Sequence, residues 1–196
     1  MTKKKILVIN GHPDPQSYGS ALSQAYLEGA SGSTTEVQLL ELNRLKFQLN
    51  LQYGYRQRTE LEPDLLKARE LIQWADHLVL IYPTWWGSTP ALLKGFIDRV
   101  FLPGFAFQFK EGSSAKWDKL LSGKSAHLIV TSDTPSWLNR LMYRRAGLMV
   151  MKRNTLQFCG INPVQITEIN PVSSSSAEFR TKWLEKVKKL GSIKNK

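Results

Sequence analysis

Two short stretches of this chain carry the residue types that chemistry needs. The first is Asn10-Gly11-His12-Pro13-Asp14-Pro15-Gln16-Ser17-Tyr18-Gly19-Ser20. It follows a short β-branched run and leads into helical spacing, so it joins a strand to a helix N-terminus. The first amides of a helix lack intrahelical acceptors and the helix dipole is positive there, which favours an anion. Ser17 and Ser20 add hydroxyl donors, Gly19 lets the backbone approach a phosphate closely, and His12 can donate to the same group. The plainer alternative makes Ser17 an N-cap and His12 a turn residue. Neither the Walker A nor the dinucleotide glycine pattern is present.

The second stretch is Tyr82-Pro83-Thr84-Trp85-Trp86-Gly87-Ser88-Thr89-Pro90. Two adjacent tryptophans at a strand end are costly to expose. A turn flanked by indoles offers amide hydrogen bonds beside a flat apolar wall, a setting suited to an isoalloxazine ring. The alternative packs one indole under a sheet and the other into a contact between chains.

The elements that must hold these loops follow from periodicity. Lys4–Asn10 reads as a strand, residues 17–30 as a helix with Leu22, Ala25, Tyr26 and Ala30 in helical spacing, and residues 35–42 as a second strand. Residues 43–62 show no clean period and run long for a structureless loop, so they are a functional excursion or hide a short element. Pro63 opens a helix to about Trp74, and residues 77–82 form an almost wholly apolar strand. Thr89 caps the next helix with Pro90 at its first position. Leu92, Leu93, Phe96, Ile97 and Val100 share its inner face, and Lys94 can pair with Asp98 one turn on. Residues 126–131 are a fourth strand, 137–158 a mainly helical region broken near Gly147, Val164–Ile169 a fifth strand, and 177–190 the last helix.

Strands alternating with helices predict one α/β domain over residues 1–196, a doubly wound five-stranded parallel sheet in the order 2-1-3-4-5. Ligands of such sheets bind beyond the C-terminal strand ends, where the winding reverses. The loops after strands one, three and four therefore matter most, the last being Thr131-Ser132-Asp133-Thr134-Pro135.

Composition narrows the function classes. With 196 residues, 42% hydrophobic and 22% charged, the chain can build one core and is not disordered. The formal charge of +11 could draw nucleic acid, an anionic membrane surface or a phosphorylated small molecule. No nucleic-acid motif occurs, however, and Lys186, Lys188, Lys189, Lys194 and Lys196 crowd a solvated C-terminal helix and tail. Arg140, Arg144, Arg145, Lys152 and Arg153 read as a solvated face or a rim between chains. The sharper reading is an attraction for NADPH phosphates or a membrane-bound partner. The single cysteine, Cys159, cannot close an internal disulfide, which suggests a reducing, cytoplasmic setting and a buried, inert thiol. Lys3, Lys4 and Lys5 precede too short an apolar run for a signal peptide, and no window is long enough to cross a bilayer. No metal is expected.

The run from Tyr82 through Trp85-Trp86-Gly87-Ser88-Thr89-Pro90-Ala91-Leu92-Leu93-Lys94-Gly95-Phe96-Ile97-Asp98-Arg99-Val100-Phe101 resembles the flavin-contacting segment of NAD(P)H:quinone oxidoreductases. That family is flavodoxin-like and includes ancillary subunits of potassium efflux systems. The likeness extends to Ile9-Asn10-Gly11-His12-Pro13 and to Pro103-Gly104-Phe105-Ala106-Phe107. It implies that His12, Ser17, Tyr18, Gly19 and Ser20 hold a flavin phosphate. Pro83, Thr84, Trp85, Trp86 and Gly87 would line the ring, with the Trp86 and Gly87 amides near N5, and Phe105 and Phe107 would lie toward the acceptor pocket. Many relatives carry Thr-Thr-Gly-Gly after strand four; here Thr131, Ser132, Asp133 and Thr134 would take that place. The resemblance further implies NADH or NADPH as donor of a hydride to flavin N5 and a quinone-like acceptor of two electrons. It also implies a homodimer to which Tyr53, Tyr55 or Trp137 contributes. FMN is favoured over FAD because the C-terminal extension of longer relatives is missing, although Gln48 matches a position that touches FAD. The rival reading is a regulatory flavin-binding subunit docked on a membrane transporter; a second rival is a one-electron carrier.

Overall fold

A computed structural model describes residues 3–32 and 34–193. Lys194 and Lys196 of the cationic tail lie outside the described residues, as do Met1 and Thr2 of the presumptive strand entry. Seven strands are β1 Lys4–Asn10, β2 Thr35–Glu41, β3 His77–Pro83, β4 Phe107–Phe109, β5 Trp117–Lys119, β6 Ser125–Thr131 and β7 Val164–Ile169. The helices are α1 Tyr18–Ala30, α2 Pro63–Trp74, α3 Ala91–Val100, α4 Ser136–Met142, α5 Ala146–Met149 and α6 Ala177–Ile193. A π-helical stretch, Val150–Gln157, continues directly from α5.

Five strands form one parallel sheet in the order β2-β1-β3-β6-β7. The pattern is the expected 2-1-3-4-5, renumbered because a short antiparallel hairpin, β4-β5, intervenes in the chain. The periodicity had no purchase on that hairpin: its strands are three residues each, too short for an alternation to register. It is held by aromatic packing instead, with Trp117 stacked on Phe158 at 4.6 Å and its indole N–H donating to the Phe158 carbonyl at 2.9 Å.

β3 is buried along its whole length, as a central strand covered on both faces should be. Leu78, Leu80 and Tyr82 join one core with residues of α2 and α3; Val79 and Ile81 join the other, with α1 and α6. Each side chain the size of Leu or Phe that is fully buried contributes roughly 1.5–3 kcal/mol. On the edge strand β2, Leu40 faces the first core while Val37 and Leu39 pack against the second, the alternation the sequence predicts.

One local expectation is corrected. Thr89 does not cap α3: Pro90 occupies that position with extended backbone, and no side chain bonds the first amides. The Pro90 carbonyl accepts the Lys94 amide at 2.9 Å and so closes the first turn. The helical region after β6 is broken near Gly147, as expected: Arg144 and Arg145, both at positive φ, separate α4 from α5. The 43–62 stretch does hide a short element, the 3-10 turn Leu42–Arg44 at its start, and is otherwise irregular. Its order comes from Arg99 of α3, whose side chain is fully buried. Arg99 donates to the Gln48 carbonyl at 2.6 Å, to the Glu60 carbonyl at 2.9 Å and to the Glu62 carboxylate at 2.8 Å.

Candidate functional site

The loop after β1 is pre-ordered by its own polar groups. Asn10 donates to Ser20 Oγ at 2.9 Å and accepts the His12 amide at 3.1 Å. His12 Nδ1 accepts the Asp14 amide at 3.0 Å, which puts the ring proton on Nε2. Burial pushes the His12 pKa below its ordinary value, against the opposing pull of Asp14. Ser17 caps α1 by accepting the Ser20 amide, and its hydroxyl also meets Ser20 Oγ at 3.1 Å. So Ser17 is the N-cap of the plainer reading, and that role leaves the amides of Tyr18 and Gly19 as the helix's outward donors. A Cβ on Gly19 would stand 3.4 Å from His12 Cβ, 3.5 Å from Ser17 Oγ and 3.7 Å from Asn10 Oδ1, so it would intrude on the hollow those residues enclose.

The Tyr18 phenol points away from that hollow and donates to the Arg180 carbonyl at 2.8 Å; burial pushes its pKa up to about 12, with the Arg180 charge acting the other way. Packing of α6 on α1 thus brings the Arg180 cation beside the loop. No local pattern in the sequence marks Arg180, because its placement depends on two helices 160 residues apart in the chain order meeting face to face.

After β3, Trp85 and Ser88 exchange backbone hydrogen bonds of 2.9 Å each way. Trp86 and Gly87 between them have φ of 50° and 73°, the pattern of a type I′ turn. The turn's own bonds use the amides of Trp85 and Ser88, so those of Trp86 and Gly87 remain at its apex. Neither indole packs under the sheet: Trp86 is fully exposed and Trp85 nearly half so. The Trp85 ring instead meets His12 edge to face at 5.5 Å, which joins the two loops.

A cleft of about 610 Å³ opens beside this turn. Thr84, Trp86 and Gly87 form one side, Ser132, Asp133 and Thr134 another, and Asn139, Tyr143 and Gly147 the third. Thr84 is tied to the far side of the sheet's mouth by its amide, which donates to the Thr131 carbonyl at 2.7 Å. Pro83 and Thr131 are buried strand-end residues and do not line the cleft. Asp133 keeps a tight loop without glycines: its carboxylate accepts the Ser173 amide at 2.7 Å and the Val172 amide at 3.1 Å, and these bonds hold it below the usual carboxylate range.

The third wall depends on residues that the sequence did not single out. Glu168 on β7 accepts from Asn139 at 3.2 Å and pairs with Arg145 at 2.5 Å; Asn170 accepts the amide and hydroxyl of Ser136 at 3.1 and 3.0 Å. Arg145 is therefore a structural tie, while Arg140, Arg144 and Arg153 remain exposed. Gly147 then lies so close to the tryptophan turn that a Cβ would overlap the Gly87 carbonyl.

On the other side of Gly147 lies a mostly apolar chamber, also of about 610 Å³, which Gly147, Phe107, Met151, Phe158, Tyr55 and Pro103 help to line. Phe107 thus reaches a cavity. Phe105 does not: it is buried in the core, with the Arg69 guanidinium 4.6 Å over its ring. Cys159, at the chamber's back, is buried, and burial pushes its thiol up to about 12.

The parallel sheet and its crossover loops define a doubly wound α/β protein whose loops after β1, β3 and β6 gather at the sheet's C-terminal edge, where such folds bind their ligands. The sequence matches the flavodoxin-like fold family over residues 4–190. A ribosyldihydronicotinamide dehydrogenase-like protein of Penicillium crustosum is 31% identical over 151 residues, 65% of this chain and 57% of that protein, so the match spans little more than half of the relative. A ribosyldihydronicotinamide dehydrogenase [quinone] of Pongo abelii is 29% identical over 189 residues, 82% of this chain and 78% of that one. Among solved structures, Smu.1420 of Streptococcus mutans superposes with a TM-score of 0.82 and 34% identity, covering 96% of this chain and 99% of that one. The chain belongs to the flavodoxin-like fold family.

Proposed function

We propose that this protein is a flavin-dependent NAD(P)H dehydrogenase that reduces quinones by two electrons. The observation that carries the reading is the adjacency of three compartments. An anion cradle at the start of α1 meets, through His12 and Trp85, a cleft with a planar wall; the cleft shares Gly147 with an apolar chamber. The residues fit a flavin: the Gly19 hollow suits a phosphate, and the cleft offers an indole and turn amides to a ring.

In this reading the Tyr18 and Gly19 amides, the Ser17 and Ser20 hydroxyls and His12 hold the phosphate. Thr84, Trp85 and Trp86 orient the ring, while the apex amides of Trp86 and Gly87 and the Ser132–Thr134 loop meet its polar edge and stabilise charge there. When bound, a flavin would supply the redox chemistry, relaying two electrons from NAD(P)H to the acceptor. The net reaction is NAD(P)H plus a proton plus quinone giving NAD(P)+ and hydroquinone. Phe107 and the chamber wall exclude water from the acceptor. FMN is the cofactor we favour, since the cradle is built on one helix N-terminus and suits one phosphate.

A homodimer belongs to the same reading. Trp86, Trp137, Leu141, Met142 and Tyr143 are all exposed around the cleft, an apolar rim of the kind a second copy covers. The test is the visible spectrum of the purified protein with the released flavin identified, followed by a NAD(P)H–quinone assay. A flavin band bleached by NAD(P)H and restored by a quinone supports the reading. A protein that takes up neither FMN nor FAD refutes it.

A further inference from the structure

The acceptor chamber does not end at its apolar wall. Tyr55 and Pro103 also line a second, smaller cavity of about 270 Å³. This annex lies between the 48–62 excursion and α2, and its walls differ in character from the chamber's. Leu51, Leu61, Leu66 and Leu102 give it an apolar floor, but Arg58 and Arg69 both face it. Arg69 is half-buried; two of its nitrogens donate to the Val100 carbonyl, at 3.2 and 3.0 Å, and its guanidinium lies over Phe105. Burial first, and then the charge of Arg58, depress its pKa, as expected for two cations sharing one recess. Neither guanidinium has a carboxylate partner among the described residues. The Thr59 hydroxyl, on the same wall, is buried without a hydrogen-bond partner. Glu60 is the one acid of the annex, so two cations face one carboxylate and the balance stays positive. In the chamber, Lys94 and Asp98 neutralise each other at 2.7 Å.

The annex is also held in shape. Arg99 fastens both ends of the excursion, at Gln48 and at Glu60–Glu62, so Tyr55, Arg58 and Thr59 ride on a loop whose base is fixed to α3. An apolar chamber beside a cationic recess, with Tyr55 and Pro103 lining both, is a bipartite site, with room for a flat ring on one side and an anionic substituent on the other.

We infer that the preferred acceptors are quinones carrying a carboxylate substituent, with the ring in the Phe107 chamber and the carboxylate between Arg58 and Arg69. The inference rests on the quinone-reductase reading above and names the substrate class within it. The probes are a naphthoquinone with a short carboxylate-terminated side chain and its methyl ester, which share ring and length and differ in charge. With flavin-loaded enzyme and saturating NADH, kcat/KM for the acid exceeds that for the ester by about tenfold, mostly through KM, the size expected of one charge-assisted contact. Salt lowers the acid's kcat/KM and leaves the ester's unchanged. Arg58→Gln, a substitution on an exposed loop, reduces the preference to within about threefold of unity, and Arg69→Gln does the same. Equal turnover of acid and ester by the wild type overturns the inference and leaves the quinone-reductase reading standing, as does a preference that both variants retain. Failure to reduce either compound in flavin-loaded enzyme overturns that reading and the inference with it.

Discussion

His12 and Trp85 meet edge to face, with ring centroids 5.5 Å apart and planes at 78°, and this one contact couples the anion cradle to the tryptophan turn. In the free protein the His12 imidazole is held below its ordinary pKa of 6.5 by burial, so it is neutral at pH 7. An anion in the cradle favours the protonated form. The His12 ring resonances should therefore titrate with a midpoint below 6.5 in the flavin-free protein, and the midpoint should rise when FMN is added. A midpoint that FMN leaves unmoved would remove His12 from the phosphate site.

The same depressed pKa has a stability counterpart. The unfolded chain binds the proton more readily than the folded one, so His12's contribution is present above pH 6.5 and is lost as pH falls below it. Denaturant titrations of the flavin-free protein between pH 5 and 7 should show stability rising with pH, and His12→Asn should flatten that slope.

Asp133 behaves as a carboxylate with a lowered pKa. Its contribution is fully present above the ordinary value of 3.8 and is lost as pH falls through the lower folded value. Because the group is largely exposed, replacing it by Ala should cost only about 1 kcal/mol, seen as a Tm lower by about 2–4 °C at pH 7. The difference from wild type should vanish in strong acid. A Tm difference independent of pH would mean that the loop to Val172 and Ser173 is held by something else.

Trp86→Ala should separate binding from folding. The indole is fully exposed, so its loss should change the stability of the flavin-free protein by less than about 0.5 kcal/mol. Flavin retention should drop by about tenfold or more, measured by equilibrium dialysis. Gly87→Ala is the opposite case: a Cβ at φ 73° costs about 1–2 kcal/mol before any ligand is added.

Gly147→Ala should affect cleft and chamber together. The new methyl would overlap the Gly87 carbonyl, so α5 or the turn must shift, at about 1–3 kcal/mol. Both flavin affinity and the acceptor KM should worsen. A variant that weakens only one of them would show that the two cavities do not share this wall in solution.

The sheet, its order and the two site loops were legible because each strand is long enough for burial to write a period, and because turn and cap residues punctuate the joins. What was hidden shares one property: it is settled by contacts distant in sequence. Glu168 and Asn170 look like ordinary residues at the end of a strand until Asn139, Ser136 and Arg145 fold back onto them. Arg99 sits in a helix as one more polar residue, and only its complete burial reveals that it orders the 48–62 excursion. Phe105 and Phe107, two residues apart, read alike and are both buried in the same core, yet Phe107 also lines the chamber while Phe105 packs under Arg69.

Helix α4 buries none of its residues fully, and Asn139 and Ser136 tie it by hydrogen bonds to Glu168 and Asn170 at the end of β7. Exchanging its outward side chains therefore puts almost nothing of the core at risk. Trp137, Leu141 and Met142 can change while the sheet, and the cradle after β1, stay the same. That makes this helix the cheapest place on the surface for one scaffold to diverge in the company it keeps.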